Sequence, residues 1–247
     1  AGILINPDTA ILAKRAMQER ESEMQSEIRV GRIVGVLLLL QIVGGILTNF
    51  VLTESLFGEP GFLIAAAGNA SKIALSALVG VAMGLVSIGV ASLLYPVFRQ
   101  RAQTLALFYF AMVVAGFALT VVENISVMSL LSLSQAYAEA GGAQPELYDG
   151  LRIVMKSARN WTHYISLVVS GCTLFAFYVV MFRFQLIPRL LPSIGLLAVC
   201  SQLYAVSTPL FGIEVDFRFI APLGITQIIL SLWLVVRGFR GKAVSPA

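Results

Sequence analysis

The sequence predicts an all-α fold, a polytopic transmembrane bundle of six spanning helices, and three observations carry that prediction. Hydrophobic residues make up 58% of the 247 and charged residues only 12%, about half the charge of a soluble globular chain, and the mean hydropathy is +0.88. Six apolar stretches are long enough for the roughly 20 residues that a spanning helix needs. Lys and Arg gather at the ends of those stretches, where they serve topology, so the net charge of +4 does not point to nucleic acid. Such a composition excludes a soluble dinucleotide-binding enzyme, a disulfide scaffold and a disordered chain. An outer-membrane barrel would need alternating segments of about ten residues, and the sequence has none.

The elements follow in order. Residues 1–30 read as a cytoplasmic arm, helical through Gln25, with Asp8 or Thr9 as its cap and Arg15–Glu19 at a supporting i,i+4 spacing. Through Glu27 the arm carries three basic and five acidic residues, a poor polybasic lipid binder. It is expected to be a solvated helix or a docking arm for a membrane-protein partner. It is not a signal peptide, because the apolar run starts only at Ile33 and is long enough to span. That run, to Val51, is the first span of a transmembrane domain covering residues 31–238. Gly58-Glu59-Pro60-Gly61 marks a turn, and the apolar stretch Phe62 to Ala67 is too short to cross, so it lies at the interface or re-enters. Asn69-Ala70-Ser71 matches a glycosylation sequon, a three-residue pattern that recurs by chance.

The second span is Ile73 to Tyr95, and the third starts near Ala102 and continues well beyond Val122. Residues 136–160, with the breakers Gly141-Gly142 and Pro145, are expected to form the longest external loop. Trp161 to Phe182, Leu190 to Leu210 and Phe219 to Val236 complete the set; Glu214, Asp216 and Arg218 lie before the last, and residues 239–247 form a tail. Twelve Lys and Arg fall on the side of the termini, against Lys72, Arg152, Lys156, Arg159 and Arg218 opposite. By the positive-inside rule both termini are cytoplasmic. No internal repeat of the kind built into many transporters is visible.

Lipid gives helices no hydrophobic drive to associate, so small and polar residues must hold the bundle. Ser76, Gly80, Gly84, Ser87 and Ala91 make a small-residue face on the second span, read as packing within the chain rather than as a dimer interface. Gly44 and Gly45 offer the same on the first span, and Ala111 and Ala115 on the third. Cys172 and Cys200 form neither a metal nor a disulfide pattern and read as buried small side chains.

Ionisable groups at membrane depth are costly and mark candidate sites. Glu123 lies about 30 Å along the third span, near the outer end of the hydrocarbon, and His163, the only histidine, lies just inside Trp161 at similar depth. The two can meet. A carboxylate beside an imidazole favours its charged form or orients a neutral ring as base or ligand. Thr120 and Asn124 share a face with Glu123, while Ser166 and Ser170 continue from His163 at helical spacing. Gln41, Gln202 and Gln227 bring further polar groups from spans one, five and six. Together they line an outward-facing polar cavity or serve as hydrogen bonds between helices.

No HExxH, GxSxG or Walker pattern is present, and one His with one Glu falls short of three metal ligands unless Glu214 or Asp216 folds in. A single His also excludes bis-histidine haem within one chain. No cofactor is specified, and a bound pigment or quinone stays open.

Several segments resemble a bacterial six-helix membrane family known as domain of unknown function 4386. They are Arg32-Ile33-Val34-Gly35, Val121-Val122-Glu123-Asn124, His163 early in its span, and, most clearly, Pro188-Arg189-Leu190-Leu191-Pro192-Ser193-Ile194-Gly195. The resemblance covers about residues 30–240 and departs from the family pattern at Thr120, where a basic residue is usual. It implies a six-helix fold and a bacterial inner-membrane address, without a reaction. The expected function is binding of a small apolar or lipid-like molecule, or service as an accessory subunit. The alternatives are an intramembrane enzyme acting on a lipid or quinone, and a proton-coupled transporter carrying its proton on Glu123.

Overall fold

The computed structural model describes residues 7–53 and 61–240, with the side chains of 7–13, 16, 49 and 50 left aside. Among these residues the fold is helical throughout, with no strand. The helices are α1 (Pro7–Ile46), α2 (Phe62–Gly68), α3 (Ala70–Arg99), α4 (Gln103–Glu139), α5 (Pro145–Arg183), α6 (Leu190–Ser207) and α7 (Ala221–Arg237). A π-helical turn, Leu47–Leu52, prolongs α1, and two 3₁₀ turns, Thr208–Phe211 and Phe217–Phe219, link α6 to α7. All but α2 are long and apolar enough to cross a membrane.

The spans pack in sequence around a ring. α1 lies against α3, α3 against α4, α4 against α5, α5 against α6 and α6 against α7, and α7 closes on α1. Leu78, Leu85, Leu107, Leu197 and Ile225 are exposed on the outside, as they should be where the solvent is lipid. The small-residue face of α3 turns inward to α4: a Cβ on Gly84 would sit 2.4 Å from the Phe117 ring, and Gly80 lies against the Asn124 amide. Replacing Gly84 by leucine should cost about 2 kcal/mol through overpacking and leave oligomeric state unchanged. Thermal denaturation and size-exclusion chromatography in detergent check both. Ala111 and Ala115, by contrast, are exposed and do not contribute to a helix interface. Cys172 is half-buried and Cys200 exposed on α6, so the expectation of burial fails for Cys200.

The longest external loop is also corrected. α4 runs to Glu139, the turn occupies only the next few residues, and α5 starts at Pro145. Gly141 and Gly142 take positive φ in that turn. Pro145 starts a helix rather than breaking one, since a first-turn proline gives up no hydrogen bond. With about 1.5 Å per residue, α4 and α5 are each more than 50 Å long, well beyond the roughly 30 Å of hydrocarbon. Their far ends form a hairpin on which α2 packs: Phe62 and Ala66 join Leu130 and Leu131 in a small separate core. Ser134 fastens α2 there, its Oγ accepting from Ala67 N at 2.9 Å and donating to Leu63 O at 2.7 Å. The turn at residues 58–60 and the tail beyond 240 lie outside the described residues, as do the side chains of Asp8 and Thr9.

The end of the ring that holds the termini is closed. Phe98, Tyr109, Phe177 and Tyr178 stack in a cluster with neighbouring ring centroids 5.4–6.2 Å apart. Tyr178 lies so close to α6 that a Cβ on Gly195 would meet its ring at 2.3 Å, which is the physical reason for glycine at the end of the Pro188–Gly195 segment. Phe239 is buried beside α1, and Arg240 N donates to Leu186 O at 2.7 Å. Glu27 of α1 takes two hydrogen bonds from Arg101 Nη2, at 2.7 and 2.8 Å, while Arg101 Nη1 holds Val97 O at 2.8 Å.

Candidate functional site: a charged cluster beside a central cavity

A cavity of about 440 Å³ reaches from the aromatic cluster into the half of the ring away from the termini. α1, α3, α4, α5 and α7 line it. Polar and apolar side chains share the lining, with Ile42, Phe117 and Leu167 beside the polar groups of its middle and far end. Thr120 and Ser166 stand at the end farthest from the termini. Gln41, Ser87, Ser170, Thr173 and Gln227 occupy the middle. Leu38, Val90, Val113, Leu174 and Tyr109 lie toward the aromatic cluster. Gln41 Nε2 donates to Ser87 Oγ and, at 3.4 Å, to Met83 O, tying α1 to α3. Gln227 Nε2 is buried with no hydrogen-bond partner.

One turn beyond Thr120 and Ser166 sits the charged cluster. Glu123 Oε1 receives Arg159 Nη2 at 2.9 Å and faces His163 Nδ1 at 3.0 Å. Arg159 and His163 are one turn apart on α5, so a single helix face presents both to the carboxylate on α4. The side chains of Glu123 and Arg159 are about one-fifth exposed, at 19% and 20%, and His163 more so at 36%. A carboxylate on Nδ1 fixes that proton and turns the lone pair of a neutral ring to Nε2. Ser166 Oγ donates to His163 O at 2.7 Å, joining cluster and cavity.

Glu123 and His163 therefore meet, and Gln41, Thr120, Ser166, Ser170 and Gln227 share the cavity wall. Asn124 does not join them: its Nδ2 donates to Thr120 O at 2.9 Å and its amide faces Gly80 of α3. Gln202 is buried on α6, the one span that does not reach the cavity. Arg159 is the residue that sequence reasoning missed, because it was counted with the external loop. Its signal was the i,i+4 spacing to the only histidine.

Asp216 and Glu214 stay outside the cluster. Hydrogen bonds from the Arg218 side chain and from its backbone N–H hold the Asp216 carboxyl below the usual carboxylate range, and the Glu214 carbonyl accepts weakly from Thr208. Among the described residues no three His, Cys, Asp or Glu side chains come together, so Glu123 and His163 have no third ligand of that kind beside them.

Six long apolar helices closed in a ring, leucines outward, define a multi-pass integral membrane protein. The chain belongs to the family described as Domain of unknown function (DUF4386), whose model matches residues 33–238. No curated protein and no solved structure matches it.

Proposed function

We propose that the protein is a bacterial inner-membrane binding protein, with both termini cytoplasmic, whose cavity takes one small apolar or lipid-like molecule. The observation that carries this is the cavity itself: about 440 Å³ between five spans, within the range of small-molecule sites. The mixture of apolar walls with a few polar groups is what such sites use for affinity and orientation. The twelve-to-five distribution of Lys and Arg supports the orientation. Gly116 lines the cavity with only the Val169 side chain, 3.9 Å away, near the position of a Cβ. Gly116→Leu should therefore fill the space and leave folding intact. Native mass spectrometry of gently solubilised protein is expected to show a retained small molecule that this variant loses. Equal retention by the variant would overturn the proposal.

The contact of His163 Nδ1 with Glu123 supports a second reading, an intramembrane enzyme in which Nε2 acts as base toward a lipid or quinone. Turnover of a lipid or quinone extract that disappears in a folded His163→Ala variant would establish it, and turnover unchanged by that variant would remove it.

A further inference from the structure

We infer that the cavity holds its ligand in one orientation, with a headgroup that donates hydrogen bonds (a hydroxyl or an ammonium) at the Thr120–Ser166 end and an apolar chain toward Leu38, Val90 and Leu174. The inference rests on the cavity being the binding site and adds the chemistry of the ligand. It follows from where the hydroxyl protons go. Thr120 Oγ1 donates to Gly116 O at 3.1 Å, and Ser166 Oγ to His163 O at 2.7 Å. Each proton is spent on its own helix, so each oxygen offers the cavity lone pairs only. Deeper in, Thr173 repeats the pattern with Val169 O at 2.8 Å. The next turn beyond Thr120 and Ser166 adds the Glu123 carboxylate, toward whose Oε1 both Arg159 and His163 are directed. At that end the hydroxyl oxygens and the carboxylate accept, Arg159 Nη2 and His163 Nδ1 being directed to Glu123, while the amide donor Gln227 Nε2 lies away from it on α7. Water can meet these acceptors in the open cavity, but a headgroup that displaces it must bring a donor or leave them unpaired, and an apolar headgroup or a ketone brings none. Toward Tyr109, about 16 Å along α4 from Thr120, Leu38, Val90 and Leu174 line the wall beside the Thr173 hydroxyl, so a reversed ligand would set its headgroup among those aliphatic side chains and away from the Glu123 carboxylate.

The test uses four ten-carbon probes added to the detergent-solubilised full chain: decan-1-ol, decylamine, decan-2-one and decane. Binding is read from thermal stabilisation over a concentration series. A Thr120→Val/Ser166→Ala variant in the same detergent serves as reference, so that partitioning into micelles cancels. Decan-1-ol and decylamine are expected to bind roughly tenfold more tightly than decan-2-one and decane, about what one matched hydrogen bond supplies. In the double variant that preference should vanish while weak binding of all four persists. Equal binding of decan-2-one and decan-1-ol to the unmodified protein would overturn the headgroup assignment and leave the cavity as a binding site. Binding of all four that survives in Gly116→Leu would place them elsewhere and overturn the cavity reading with it.

Discussion

Replacing Arg101 by alanine should cost the protein about 3 kcal/mol or more, the loss expected when one partner of a buried, hydrogen-bonded ion pair is removed. The side chains of Arg101 and Glu27 are only 4% and 13% exposed, so water does little to relieve the stranded carboxylate. Arg101 also holds Val97 O at the end of α3, and one guanidinium therefore joins three segments: α1, the end of α3 and the start of α4. Lysine should not restore the loss, because an ammonium lacks the planar fork that reaches carboxylate and carbonyl together. Denaturation of the four members of an Arg101→Ala, Glu27→Ala cycle measures the coupling. Additive single losses would show that the pair contributes nothing as a pair.

The second large effect is expected at Glu123. Glu123→Ala leaves Arg159 inside the helical ring without its carboxylate, at a cost of about 3 kcal/mol, the lower end for such pairs because both side chains are about one-fifth exposed. Glu123→Ala/Arg159→Met should recover most of that loss, since an apolar pair of similar volume removes the stranded charge. If the single and double variants are equally stable, the cluster is solvated and its members act independently. Its polar contacts with His163 should move in the same variants. The imidazole nitrogen resonances, followed by NMR with labelled histidine, should change on Glu123→Ala and return only partly on Glu123→Gln, which keeps an acceptor and loses the charge.

The six spans could be read from the sequence because hydrocarbon imposes one requirement on every one of them, about twenty apolar residues with all backbone groups bonded within the helix. The Ser76–Ala91 face could be read for a similar reason, since close approach needs small side chains at helical spacing. Residues 136–160 were misread because polarity marks departure from hydrocarbon, not departure from helix. α4 and α5 continue as helices into a polar region by packing on each other and on α2, a tertiary effect with no local signature. The same misplacement removed Arg159 from the candidate site, since a residue assigned to a loop has no helix face. Asn124 shows the converse limit. It follows Glu123 directly and stands one turn from Thr120, yet one residue of rotation from Glu123, about 100°, turns it to Gly80 of α3. Which polar groups share a cavity depends on the neighbours each helix meets, and those become visible only in the ring.

α1 has no joint between its exposed half and its packed half. It is helical without interruption from Pro7 to Ile46, its side chains described from Lys14 to Ser26 are all exposed, and Gln41 on the cavity wall lies on the same rod, about 22 Å beyond Ser26. Between them, Gly31 and Gly35 bed against the end of α7, and Glu27 is gripped by Arg101. The exposed N-terminal half of α1 and the cavity wall are thus parts of one continuous helix, held between them by its contacts with α7 and with Arg101.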